Sequence, residues 1–214
     1  MLSALKRRSS ASGVLYLHGF NSGVGSPKAA LVRLACKALG LRCETPQLSH
    51  RPGAAYQLAE ACLGELGPNP LLAGSSMGGF LATCLAERHD LAAAVINPAV
   101  RPARLVAGWV DEVFVNEHTG ERFAIESSHI QELASLTPLS VSPERYLLLL
   151  GTADESLDPA DAFDLYRGAR TILHPGGDHA FGMLAEYLPA ILAHGGHRLE
   201  AGRISDQDLD MDDA

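Results

Sequence analysis

An apolar run at residues 71–73 leads directly into Gly74-Ser75-Ser76-Met77-Gly78-Gly79, and an Ala- and Leu-rich helical pattern follows over residues 79–88. A chain passes from strand to helix in so few residues only through a sharp turn. The match to G-x-S-x-G over Gly74-Ser75-Ser76-Met77-Gly78 puts a serine at its apex. Such a serine sits in a strained backbone conformation, so its close neighbours must lack bulky side chains, and Gly74 and Gly78 meet that need. The turn brings the Ser76 hydroxyl to a helix N-terminus, where the Met77 backbone N–H can face a developing oxyanion. The bland alternative is an N-capping serine in a glycine-rich turn. Ser75 is the weaker nucleophile candidate because the motif places it one residue early.

Around this turn, short apolar runs alternate with helical patterns. Residues 14–17, 41–45, 71–73, 92–96, 145–150 and 169–173 read as strands, and residues 27–39, 54–66, 79–88 and 181–193 as helices. The uninterrupted runs at 92–96 and 145–150 suit strands covered on both faces. The pattern predicts an α/β fold, a compact, mostly parallel sheet flanked by helices, with ligands bound at the carboxyl ends of the strands. Residues 98–143 break the rhythm. They carry Trp109, Val110, Phe114, Val115, Phe123 and Ile125 among charges, then a helix near residues 130–136, and are expected to form a small cap insertion. Length does not demand a second domain. The expected organisation is a flexible N-terminal arm at 1–12, a single domain at 13–197 and an acidic, disordered tail at 198–214.

Composition narrows the function classes. Apolar residues make up 47% and charged residues 20%, the balance of a soluble globular protein. No apolar stretch approaches the roughly 20 residues of a membrane span. No apolar h-region follows Lys6, Arg7 and Arg8, so a secretory signal is not expected. Cys36, Cys43, Cys62 and Cys84 form no C-x-x-C pair and read as buried thiols of a reducing compartment, which points to the cytoplasm. Asp206, Asp208, Asp210, Asp212 and Asp213 account for more than half of the formal charge of -8, so the acidity belongs largely to the tail. That balance gives no support to nucleic-acid binding, which needs a basic face.

A serine alcohol is a poor nucleophile without a base to take its proton. The chain order Ser, acid, His that accompanies this turn directs attention to His174, His179, His194 and His197. His179 lies in Pro175-Gly176-Gly177-Asp178-His179-Ala180-Phe181, read as a flexible loop between the last strand and the last helix, at the sheet edge where the serine emerges. His174 ends the strand ahead of Pro175 and is expected to be fixed by packing; His194 and His197 lie at or past the final helix end. The base needs an acid to select its tautomer. Asp154 stands where residues 147–150 run into Gly151-Thr152-Ala153-Asp154-Glu155, at the carboxyl end of a buried strand. Asp158, ahead of Pro159, is the alternative but reads as a helix N-cap, and neighbouring Glu155 projects differently. The second oxyanion donor is assigned to the Phe20 N–H in His18-Gly19-Phe20-Asn21-Ser22-Gly23, with His18 bracing the loop. This loop lacks the Gly-Lys-Ser/Thr ending of a phosphate-binding loop. No metal site is expected.

Leu15-Tyr16-Leu17-His18-Gly19-Phe20-Asn21-Ser22, Gly74-Ser75-Ser76-Met77-Gly78-Gly79 and Gly177-Asp178-His179-Ala180-Phe181 resemble the YqiA-type esterases of the α/β-hydrolase superfamily. Asn97-Pro98-Ala99-Val100-Arg101-Pro102 and Glu126-Ser127-Ser128-His129-Ile130 look like that family too, so the resemblance spans about residues 13–194. It implies a compact carboxylic ester hydrolase, without cofactor, whose serine, aspartate and histidine fall on Ser76, Asp154 and His179. The chain departs from the pattern in a longer oxyanion loop, Gly23-Val24-Gly25-Ser26, and in its acidic C-terminal extension. Arg101 and His129 are candidates for touching substrate, with solvated or structural roles equally open. The resulting expectation is a serine hydrolase acting on small-molecule esters of short to medium acyl chains through an acyl-enzyme, with thioesters within reach of the same apparatus. The rival is a non-catalytic small-molecule-binding or interaction protein on the same scaffold.

Overall fold

The computed structural model describes residues 9–211. Strands β1 (Gly13–Leu17), β2 (Arg42–Glu44), β3 (Leu71–Ser75), β4 (Ala93–Ile96), β7 (Tyr146–Gly151) and β8 (Arg170–His174) form one six-stranded sheet in the order β2-β1-β3-β4-β7-β8. Every pairing in it is parallel. The four inner strands are buried from end to end, which is why they read as unbroken apolar runs rather than as alternating ones. The edge strands β2 and β8 are more exposed.

Side chains alternate between the two faces of each strand. Val14, Tyr16, Leu71, Ala73, Ala94, Ile96, Leu147 and Leu149 pack on one face with α1 (Pro27–Ala38) and α7 (Leu184–His194). Leu15, Leu17, Leu72, Val95, Leu148 and Leu150 pack on the other with α2 (Pro52–Leu63), α3 (Met77–His89) and α6 (Pro159–Leu165). The chain proceeds from β1 to β2 on one side, then crosses back so that β3 pairs on the other side of β1. The loops after β1 and β3 therefore diverge at this switch point and leave a crevice between them, the usual ligand position in an open parallel sheet.

The expected cap insertion contains α4 (Pro102–Ala107), a two-stranded antiparallel hairpin of β5 (Val113–Val115) and β6 (Arg122–Ala124), and α5 (Ser127–Leu136). Its aromatic side chains face the body. The Phe20 ring, on the loop after β1, meets Trp109 and Phe114 at 5.1 Å and Phe123 at 5.8 Å between centroids.

Both chain ends differ from the expectation where they are described. In the predicted arm, residues 1–8 lie outside the described residues, but Ala11 is buried and its N–H donates to the Gly195 carbonyl at 2.7 Å. In the predicted tail, residues 212–214 lie outside them, but Leu199, Ile204 and Leu209 pack onto the α1 and α7 face and a 3-10 turn spans Asp206–Met211. The aspartates between those apolar residues dominated the compositional reading and concealed them. All four cysteines are free; Cys36 and Cys84 are buried as expected, whereas Cys43 and Cys62 are only half-buried, being on an edge strand and on the last turn of α2. No described helix is long and apolar enough to cross a membrane.

Candidate active site

Ser76 occupies the single residue between β3 and α3, at φ 55° and ψ -122°, a conformation that side-chain-bearing residues rarely adopt. Its backbone is held on both sides: its N–H donates to the Ile96 carbonyl, and its own carbonyl accepts from Phe80 and Ala99. Packing explains the glycines. A Cβ on Gly78 would collide with the Leu17 carbonyl at the end of β1, and one on Gly74 with the Gly78 carbonyl. Ser76 makes no side-chain cap to α3, so the N-capping alternative does not describe it. Ser75, the last residue of β3, points to the opposite face and shares a buried 3.2 Å hydrogen bond with Tyr16.

The Ser76 Oγ lies 3.1 Å from His179 Nε2. On the other side of the ring, His179 Nδ1 lies 2.8 Å from Asp154 Oδ2 and 3.0 Å from Oδ1. The Asp154 side chain is 2% exposed, and Oδ1 also accepts the Ser156 and Leu157 N–H groups at 2.9 and 2.8 Å. Those two donors fix the carboxylate plane, so its remaining bonding capacity faces the imidazole. The donor on Nδ1 then leaves Nε2 free to take a proton from Ser76.

The other candidates have separate uses. Asp158 caps α6, accepting the Ala160 N–H at 2.9 Å. Glu155 accepts the His179 backbone N–H at 3.1 Å, a bond that holds its carboxyl below the usual range. His174 bonds Tyr187 Oη at 2.7 Å, His194 the Arg145 carbonyl at 2.7 Å and His197 the Ala11 carbonyl at 2.8 Å. Arg101 pairs with Asp161 at 3.3 Å, joining cap to body.

The His179 loop, expected to be flexible, is clamped. Asn97, just after β4, donates from Nδ2 to the Asp178 and His179 carbonyls at 2.9 and 3.3 Å, and its Oδ1 accepts the buried Gly151 N–H at 2.8 Å. Lys28 on α1 donates to the Ala180 carbonyl, and Ala153 donates to that of Gly177. In the sequence Asn97 stands out only as the first residue of the family-like segment Asn97-Pro98-Ala99-Val100-Arg101-Pro102, with nothing to tie it to the His179 loop. The one local hint is that Asn tolerates the left-handed backbone it adopts there, φ 41°.

The loop after β1 is tied as firmly. His18 Nδ1 lies 2.9 Å from the Gly19 carbonyl, and Nε2 is 2.9 Å from the Leu48 N–H, which donates to it. Accepting at Nε2 requires the neutral ring, and burial, outweighing the bond to Gly19, lowers the His18 pKa. Asn21 donates to the Val115 carbonyl and Asn116 to that of Ser22, so the cap hairpin holds the same loop. A Cβ on Gly19 would lie 3.3 Å from Ser76 Cβ, a separation that brings the neighbouring Phe20 close to Ser76. Met77 opens α3 on the other side, where the first N–H groups of a helix have no partner within it. Phe20 and Met77 both line a cleft that runs from this point beneath the cap.

A model of the Uncharacterised protein family (UPF0227) matches residues 13–195. Among solved structures, the chain is similar to alpha/beta hydrolase domain-containing protein 10 from mouse, at 20% identity and a TM-score of 0.60 over 84% of this chain and 89% of that one. It is similar to Est1E from Butyrivibrio proteoclasticus at 14% identity and a TM-score of 0.63, covering 89% and 88%. It is similar to the Paleococcus ferrophilus monoacylglycerol lipase at 16% identity and a TM-score of 0.60, covering 87% and 96%. Likeness at such identities establishes the architecture, that of the α/β hydrolases.

Proposed function

We propose that this chain, which belongs to the Uncharacterised protein family (UPF0227), is a serine hydrolase of carboxylic esters with short to medium acyl chains. The observation that carries the reading is the continuous relay from Ser76 Oγ through His179 to the buried Asp154, with each hydrogen bond between 2.8 and 3.1 Å. Such a relay has no evident structural purpose at a strained turn beside a cleft, and a receptor would not need it.

In the first half-reaction, Ser76 Oγ attacks the ester carbonyl carbon while His179 Nε2 takes the hydroxyl proton. Asp154 stabilises the resulting imidazolium, and the Phe20 and Met77 N–H groups hold the oxyanion. Collapse of the tetrahedral intermediate breaks the bond to the alkoxy group, which leaves as the alcohol with the proton from His179. In the second half, His179 deprotonates a water that attacks the acyl-Ser76 carbonyl, and the carboxylic acid and free serine are released. Thioesters suit the same steps, a thiol leaving in place of the alcohol. The likeness to a monoacylglycerol lipase fits such a reaction, as does a cleft with apolar walls that begins beside Ser76.

The test is a panel of p-nitrophenyl acyl esters and acyl-thioesters of graded length, assayed with wild type and Ser76→Ala, together with labelling by a fluorophosphonate. Turnover and labelling that both vanish in Ser76→Ala are expected. Hydrolysis undiminished in that variant removes Ser76 as nucleophile, and a wild type inert to every ester and to the probe removes the hydrolase reading.

A further inference from the structure

The cleft beneath the cap is walled by Leu48, Met77 and Leu81 from the body and by Val106, Ile125 and Leu133 from the cap. Those side chains suit a hydrocarbon arm of a substrate. The wall also carries polar groups, Asn21, His50, Asn116, Glu121 and His129 among them. His129, on the first turn of α5, is 1% exposed, and its Nε2 has no hydrogen-bond partner among the described residues.

The helix cap determines what that nitrogen carries. His129 Nδ1 lies 3.0 Å from the Glu126 N–H and 3.1 Å from the Glu126 carbonyl. The carbonyl already accepts the His129 backbone N–H at 3.0 Å, whereas the Glu126 N–H has no other acceptor among the described residues. Both backbone groups are satisfied only if Nδ1 accepts, so the ring proton resides on Nε2. The result is a buried N–H donor on the cleft with no acceptor among the described residues. Leaving such a group unmade costs more than an ordinary hydrogen bond contributes, so an unpaired one requires an explanation.

The neighbours do not supply the acceptor. The His50 ring, 5.6 Å away between centroids, stacks on Phe123 at 4.3 Å and turns Nδ1 toward Glu121 Oε1 at 3.2 Å. Glu121 also lines the cleft, and its carboxylate opposes an anionic ligand group there. Asn21, on the loop beside the nucleophile, has its amide nitrogen committed to Val115, which leaves Oδ1 as a second buried and unpartnered atom on the cleft, this one an acceptor.

We propose that this cleft is a subsite for an apolar arm of the ester bearing a neutral oxygen, a hydroxyl or a carbonyl, remote from the scissile bond and received by His129 Nε2–H. A hydroxyl has the further capacity to donate, which Asn21 Oδ1 matches. The inference rests on the serine hydrolase reading and names its substrate class: oxygenated rather than plain alkyl arms, and neutral rather than carboxylated ones.

The experiment compares kcat/KM for matched pairs that differ only in a hydroxyl or keto group. One series is p-nitrophenyl alkanoates against their hydroxy- and oxo-alkanoates, and the other is alkyl acetates against hydroxyalkyl acetates, so that either arm of the ester is sampled. Wild type should favour the oxygenated member of one series by on the order of tenfold. The ratio should fall to about one in His129→Phe and in His129→Met, neither of which has an N–H to donate into the cleft. Because each ratio is taken within one variant, a partly destabilised protein still reports it. Ratios of one or less in both wild-type series, or a preference that survives both substitutions, overturn the subsite. The same ester pairs of both series, titrated calorimetrically into Ser76→Ala with and without His129→Phe, separate the two readings. A preference that needs His129 without any wild-type turnover upholds the subsite and sinks the esterase, whereas turnover with equal affinities does the reverse.

Discussion

Asn97→Gly isolates the clamp on the His179 loop from the backbone strain beneath it. Asn97 is 3% exposed and left-handed, so glycine keeps the backbone conformation at no steric cost while removing the amide. Three hydrogen bonds disappear, and the buried Gly151 N–H loses its acceptor. An orphaned buried donor costs about 1–3 kcal/mol, and each ordinary hydrogen bond contributes roughly 0.5–1.5 kcal/mol. Allowing for overlap between the two bonds from Nδ2, the loss should be about 2–4 kcal/mol, within the roughly 5–15 kcal/mol that a domain has to lose. Asn97→Ala should lose about 1–2 kcal/mol more, the strain of a left-handed alanine. Urea unfolding of the three proteins measures both differences. In the esterase assay, kcat of the glycine variant should fall about 10- to 100-fold with KM changed less than about threefold, because the imidazole shifts relative to Ser76 while the cleft is untouched. The reasoning is refuted by a glycine variant within about 0.5 kcal/mol of wild type that retains its kcat. An alanine variant no worse than the glycine variant refutes the strain component.

Two other perturbations test the same framework. Asp154→Asn preserves an acceptor for the Ser156 and Leu157 N–H groups but offers an amide to His179 Nδ1, selecting the wrong tautomer. Stability should change by less than about 1 kcal/mol while kcat falls by about three to four orders of magnitude; a loss of under tenfold would move the acid elsewhere. His18 tests the loop after β1 through pH. Its folded-state pKa is lowered below 6.5, so the unfolded chain binds a proton near that pH which the folded chain resists. Stability from this group is therefore unchanged above that range and is lost as pH falls through it toward the lower, folded value. Urea unfolding at about pH 7.5 and 5.5 should show a smaller drop in His18→Asn than in wild type, and equal drops would mean that the ring is not held neutral.

What could be read ahead of the structure, and what could not, divides along the range of the interactions. The inner strands announce themselves because burial on both faces leaves no polar position, and the serine turn because Gly74 and Gly78 are demanded by backbone contacts a few residues away. The positions of Asp154 and His179 follow from a similarly local rule: each lies just past the carboxyl end of a parallel strand, and adjacent parallel strands bring those ends together. Proximity is thus a consequence of topology. Orientation is not. The bonds that aim His179 come from Asn97, 81 and 82 positions earlier, and from Lys28, 152 positions before Ala180. No period or charge pattern around either residue ties it to the His179 loop, although Asn97 opens a family-like segment. The same reason hides the unpaired Nε2 of His129, since a histidine at the third position of a helix looks like any other until its cap partner and the wall it joins are known. A chain of this fold can therefore expose Ser76 through a handful of residues, while the bonds that hold His179 and the polar groups that line the cleft are distributed through side chains that only the folded sheet and cap assemble.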